Sequence, residues 1–190
     1  MGSYVEGTGL GPFEGVTVRV LYDGKVSVQS GAAPHGQGHV TMFKQIVSDA
    51  LNVPFDDILV TLGDTAAIAM GVGTFASRIT ANAGPSALMA ANTVGTRILK
   101  LAARVLGTEE SNLALADGQV ESKGGNRPAI SFGDLAKLAE GAPGFSLPPG
   151  EAPGLEYTAY FAPPQAAYCN GSHVAEVEVD IETGAVRILN

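Results

Sequence analysis

From Pro85 to Leu106 the sequence PSALMAANTVGTRILKLAARVL repeats apolar or small residues every three or four positions, with Leu88, Ala91, Gly95, Ile98, Leu99, Ala102 and Leu106 on one stripe. A stripe of that period and length is a helix and cannot be a strand. Gly95 weakens it by about 1 kcal/mol relative to Ala. The Ala-rich face suits close packing, and the segments around it supply a sheet to pack on.

Those segments read with period two. In Val16 to Val28, Val16, Val18 and Val20 alternate with Thr17 and Arg19 before Asp23-Gly24, which is hairpin-turn chemistry. Gln29 to Gly38 is a loop rich in Gly, Ala and Pro. It feeds a second helical pattern, His39 to Asn52, with Val40, Phe43, Val47 and Leu51 in register. Pro54 ends that helix, and Ile58 to Leu62 reads as a short buried strand. Gly63 to Thr80 has no clean period, and a long irregular loop inside a compact domain is usually functional or disordered.

Beyond Gly107, Asn112 to Ser122 predicts two short strands around Asp117-Gly118, and Ser131 to Glu140 predicts a short helix capped by Ser131 with Asp134 three residues on. Gly141 to Gly154 holds four prolines and four glycines and reads as a surface loop. Tyr157 to Phe161 and Ser172 to Ile188 return to strand character. The pattern is still that of a strand at Asn190, so a partner chain is expected to pair with it. The expected class is α+β, as two successive small β-sheet-plus-helix units: residues 1–106, carrying the GQGH and GTFASR loops, and a β-rich unit over 107–190, incomplete at its C-terminal end.

Composition narrows the function. The formal charge is −8, from 19 acidic and 11 basic residues, and Lys and Arg form no run. That argues against nucleic acid, which needs a basic face. No apolar run approaches the roughly 20 residues of a membrane span. MGSYVEGTGLGPFEG lacks the basic-then-apolar pattern of a secretory signal, so a cytoplasmic location is the default. The single cysteine, Cys169, excludes an internal disulfide, and no Cys/His pairs stand at zinc or iron–sulfur spacing. Any metal must come with another group.

Two loops could carry chemistry. His35-Gly36-Gln37-Gly38-His39 lies between a strand and a helix start, where backbone N–H groups and the helix dipole favour a phosphate or pyrophosphate. The plainer reading makes Gly36 and Gly38 turn formers around a solvated Gln37. Gly73-Thr74-Phe75-Ala76-Ser77-Arg78-Ile79-Thr80 precedes the long helix and offers hydroxyl donors and an Arg suited to bidentate anion contacts. Its plainer reading makes Thr80 and Asn82 helix caps and Arg78 a surface charge. Both loops lead into helices, so two helix starts could converge on one polyanionic ligand. A catalyst is harder to find. Ser77 has no neighbouring histidine, and Cys169 reads as a buried small hydrophobe. Glu156, Glu176, Glu178 and Asp180 follow surface-strand alternation and read as solvated.

In order along the chain, YVEGTGLGPFEGVTVRV, GAAPHGQGHVTMFKQIVSDALNVP, GDTAAIAMGVGTFASR and HVAEVEVDIETGAVRIL resemble the molybdopterin-binding region of the xanthine dehydrogenase, aldehyde oxidase and carbon monoxide dehydrogenase family. The resemblance implies a molybdenum ion held by the dithiolene of a pterin cofactor, with or without a nucleotide tail, that the protein binds through backbone and polar donors. It implies Gly36, Gln37 and Gly38 in one contact segment and Thr74, Ser77, Arg78, Ile79 and Thr80 in the other. It also implies hydroxylation of aldehydes or N-heterocycles with oxygen from water, and a glutamate base in a GxGE-like segment beyond Asn190 that nothing here matches. The implied partners are the remainder of the molybdenum subunit and iron–sulfur and FAD subunits or domains. The isolated chain is then expected to be inactive. Two other readings stay open: a folded noncatalytic fragment that holds no cofactor alone, and an unrelated phosphate-binding module.

Overall fold

The computed structural model describes residues 1–124 and 130–190. Its order is β1 (Gly2–Thr8), β2 (Glu14–Val20), β3 (Val26–Ser30), α1 (His39–Leu51), β4 (Ile58–Leu62), α2 (Ile79–Leu106), β5 (Leu113–Ala116), β6 (Gln119–Ser122), β7 (Ile130–Ser131), α3 (Phe132–Ala139), β8 (Glu156–Phe161), β9 (Ala167–His173), β10 (Val177–Val179) and β11 (Val186–Ile188). The class is α+β, as the sequence predicts.

The main sheet runs β4-β3-β2-β8. The β2–β3 hairpin aligns Val20 with Val26 and Val18 with Val28. Asp23 accepts from the Lys25 N–H at 3.1 Å, and Gly24 takes φ 87°, so the turn forms where Asp-Gly stands. β3 and β4 are parallel and are joined through α1, which makes a βαβ crossover. Val16, Val18, Val20, Val26 and Val28 are buried on one sheet face together with Phe43, Val47 and Leu51 of α1 and Ala87, Ala90, Ala91, Val94 and Ile98 of α2.

Four details differ from the sequence reading. The division at Leu106 does not separate the sheets: β9 pairs with β1, and β8, from the second half, pairs with β2, whose far edge the β2–β3 hairpin alone would leave open. The stripe on α2 is centred one position earlier, so Leu88 is exposed and Ala87 is buried. α2 begins at Ile79, before Pro85, which lies inside the helix. Cys169, expected in the core, is exposed on β9 of the two-stranded β1–β9 ribbon, which has no layer packed over it among the described residues.

Smaller predictions hold at atomic detail. Asp117 and Gly118 both take left-handed backbone between β5 and β6. The Ser131 Oγ accepts from the Asp134 N–H at 3.0 Å at the start of α3. The C-terminal strand differs from its expectation: instead of waiting for another chain, β11 pairs with β10 of this one in an exposed two-stranded hairpin.

Candidate functional site

The irregular segment between β4 and α2 is held against the sheet by two glycines. A Cβ on Gly31 would sit 2.5 Å from the Gly71 Cα, and one on Gly71 would sit 2.6 Å from the Gly31 Cα. Only two backbones without side chains can lie that close. The contact brings the 73–78 loop beside the loop that leads into α1.

A cleft of about 430 Å³ opens between them. Six of the residues singled out from the sequence form part of its wall: Gln37, Thr74, Ser77, Arg78, Ile79 and Thr80. Gly36 and Gly38 are not in the wall. They shape the turn beside it at φ 102° and 79°, with open space where a Cβ would be. His35, His39, Phe75 and Ala76 also face the cleft. His39 closes the first candidate segment, and it stands one helical step from Phe43 and takes the core-facing position in place of Val40, which is exposed.

Both helices begin at this cleft, and neither has a side-chain cap. Gly38 precedes α1 and Arg78 precedes α2. The opening N–H groups of a helix have no partner within it and carry the positive end of its dipole. Two buried polar atoms of the wall, His39 Nδ1 and Thr74 Oγ1, also lack a partner among the described residues. Buried polar atoms nearly always have one, so these two point to something that occupies the cleft. Burial, and then the nearby His35, hold the His39 imidazole below its usual pKa, so it is neutral near pH 7. Among the described residues no three His, Cys, Asp or Glu side chains group as metal ligands. The cleft offers hydrogen bonds and helix-start potential, which suit an anionic, heteroatom-rich ligand.

Not every expected donor is free. The Gln37 Oε1 accepts the His35 N–H at 2.6 Å, which ties that side chain into its own loop. The Ser77 Oγ donates to Glu6 Oε1 at 2.9 Å. Arg78, read from sequence as an anion ligand or a surface charge, is neither: its side chain is fully buried. Nε donates to the Leu10 carbonyl, Nη1 to Glu14 and the Gly73 carbonyl, and Nη2 to the carbonyls of Pro12 and Phe13. All five guanidinium N–H groups are thereby used inside the chain. Asn82 and Ser86, on the same helical face, donate to the carbonyls of Pro12 and Glu14. Asn82 is therefore a clamp and not a cap.

A family model described as a molybdopterin cofactor-binding domain matches residues 1–190. The chain is 30% identical over 179 residues to the carbon monoxide dehydrogenase large chain of Afipia carboxidovorans, covering 94% of this chain and 22% of that protein. It is 33% identical over 172 residues to the nicotine 6-hydroxylase large subunit of Paenarthrobacter nicotinovorans, covering 90% and 21%. Its fold is similar to that of quinoline 2-oxidoreductase from Pseudomonas putida 86, with a TM-score of 0.83, 32% identity and coverage of 98% of this chain and 25% of that one. The chain thus spans between a fifth and a quarter of the length of these relatives.

Proposed function

The chain belongs to the molybdopterin cofactor-binding domain family, and from that premise we propose that the cleft between the starts of α1 and α2 holds the pterin cofactor of a molybdenum hydroxylase subunit. The carrying observation is that both loops meet there, at two uncapped helix starts, around the orphaned His39 Nδ1 and Thr74 Oγ1. A pterin with a phosphate or dinucleotide tail has the ring heteroatoms and anionic oxygens that such a set of donors pairs with. When bound, that group supplies a molybdenum centre for hydroxylating an activated carbon, of an aldehyde or an N-heterocycle, with oxygen from water.

The chain's own part is to bind and orient. The backbone N–H groups at the starts of α1 and α2 receive the anionic end. Thr74, His39 and the Gln37 amide nitrogen supply directional contacts, and Phe75 forms an apolar side of the wall. Relatives bear names such as large chain, large subunit and complex subunit gamma, which supports work alongside other subunits. We read those partners as the remainder of the molybdenum subunit and iron–sulfur and FAD components. No helix among the described residues is long and apolar enough to cross a membrane.

Thr80→Glu tests the site without disturbing the fold. Thr80 is exposed in the first turn of α2, so an acid there adds about 0.3–1 kcal/mol of helix stability while placing a negative charge in the cleft. The expected result in the assembled enzyme is unchanged or raised thermal stability with molybdenum and pterin content lowered at least about fivefold, equivalent to about 1 kcal/mol. Full cofactor content in a folded Thr80→Glu protein would remove the cleft from consideration.

A further inference from the structure

The geometry points to Arg78 and Glu14 as positioning residues of the cofactor cleft: a buried ion pair that sets the path of the 73–78 loop without itself meeting the cofactor. This rests on the reading of the cleft as the pterin site. Four observations carry it.

Both side chains are fully buried, with Arg78 Nη1 2.6 Å from Glu14 Oε2. Burying such a pair returns little net stability compared with apolar packing, so its presence asks for another reason. The bonds around it supply one. Glu14 Oε2 also accepts from the N–H groups of Val72 and Gly73 at 3.3 Å, and Arg78 Nη1 donates to the Gly73 carbonyl at 2.8 Å. The pair therefore grips the start of the loop through donors and acceptors alike, and Arg78 is also the residue that ends it. Nε and Nη2 fasten the same loop to the carbonyls of Leu10, Pro12 and Phe13.

Between those two anchors the backbone is strained. Ala76 and Ser77 take φ 48° and 50°, two successive side-chain-bearing residues in left-handed backbone. Such residues persist only where their surroundings over-determine them, and they cluster where backbone direction matters to function. Here the strained pair faces the cleft. The Arg78 N–H donating to the Phe75 carbonyl at 3.2 Å closes the turn. Without the bracket the loop could relax to ordinary backbone, which would rotate the N–H groups of residues 74–77 away from their present directions. A lysine cannot replace the arginine, because one ammonium cannot reach acceptors spread over Leu10, Pro12, Phe13, Glu14 and Gly73.

The test compares Arg78→Lys and Glu14→Gln with a matched control, Leu135→Ala, in the assembled enzyme. Leu135 is buried in α3, which packs near the Tyr22–Gly24 turn at the opposite end of β2 from Glu14. The readouts are molybdenum and pterin per subunit, melting temperature, and amide exchange over residues 74–78. The expected result is that either pair variant lowers cofactor content at least about fivefold and speeds exchange at 74–78 selectively, while Leu135→Ala lowers the melting temperature and keeps the cofactor. The inference is overturned if either pair variant loads fully, if Leu135→Ala at a similar melting temperature loses as much cofactor, or if neither pair variant accumulates folded, since the pair would then serve the fold alone. Full loading in Arg78→Lys with loss in Thr80→Glu sinks only the bracket. Full loading in Thr80→Glu sinks the cleft itself.

Discussion

His39 shows how one residue can belong to the core and to the site together. It is buried in register with Phe43, Val47 and Leu51, yet it lines the cleft and its Nδ1 has no partner among the described residues. Burial first, and then His35, lower its pKa from 6.5. Because the folded state takes up this proton less readily than the unfolded one, the unfolded state binds more protons below that value. The contribution to stability is therefore complete above about pH 6.5 and is lost as pH falls through the lowered folded pKa. Urea midpoints for the chain and for His39→Gln, at about pH 7.5 and about pH 5.5, should show the wild-type advantage shrinking, or its deficit growing, at the lower pH. A difference that does not change with pH would contradict the assigned cause. Gly71 makes a second test at this scale. The Cβ added by Gly71→Ala lies 2.6 Å from backbone that cannot yield easily, so a loss of about 1–3 kcal/mol is expected, read by urea denaturation.

At the scale of elements, the helices show what apolar periodicity can and cannot reveal. α3 was readable from end to end because its signals are local: Ser131 caps it and Asp134 answers. Ser131→Ala should cost about 1 kcal/mol, and an unchanged denaturation midpoint would contradict the cap. The start of α2 was hidden for a physical reason. Its first two turns bury Arg78, Asn82 and Ser86 at helical spacing, a polar stripe that grips the segment from Leu10 to Glu14. Ile79 and Ala83 are buried there too, but interleaved with polar residues and followed by Pro85 they do not stand out as an apolar stripe. The same stripe explains why Arg78 looked like a ligand, since all hydrogen-bond partners of its side chain but the Gly73 carbonyl lie more than sixty residues away, where no local pattern displays them. The cleft as a meeting of two helix starts was legible, because each Gly-rich loop announces the helix that follows it.

Across the whole molecule, the strands divide into those that build the sheet under α1 and α2 and those that stand off it. β1–β9 and β10–β11 are separate two-stranded ribbons, and Val174, Val177, Val179, Ile181, Val186 and Ile188 are all exposed. Two-stranded ribbons are marginal alone, and apolar ones want a cover. Relatives are four to five times longer than this chain, and we propose that the rest of a molybdenum subunit covers these ribbons. Amide exchange at 177–188 should be fast in the 190-residue chain and slow in the assembled enzyme; equally fast exchange in both would leave the hairpin without that role. The central claim, that the cofactor lies between the starts of α1 and α2, is tested most directly by a crystal structure of the assembled, cofactor-loaded enzyme with molybdenum located by anomalous scattering. The expected density for the pterin and its phosphate lies in the cleft, within hydrogen-bond reach of Thr74 Oγ1 and the first N–H groups of α2. Pterin density elsewhere, with this cleft filled by solvent or by another part of the protein, would contradict it.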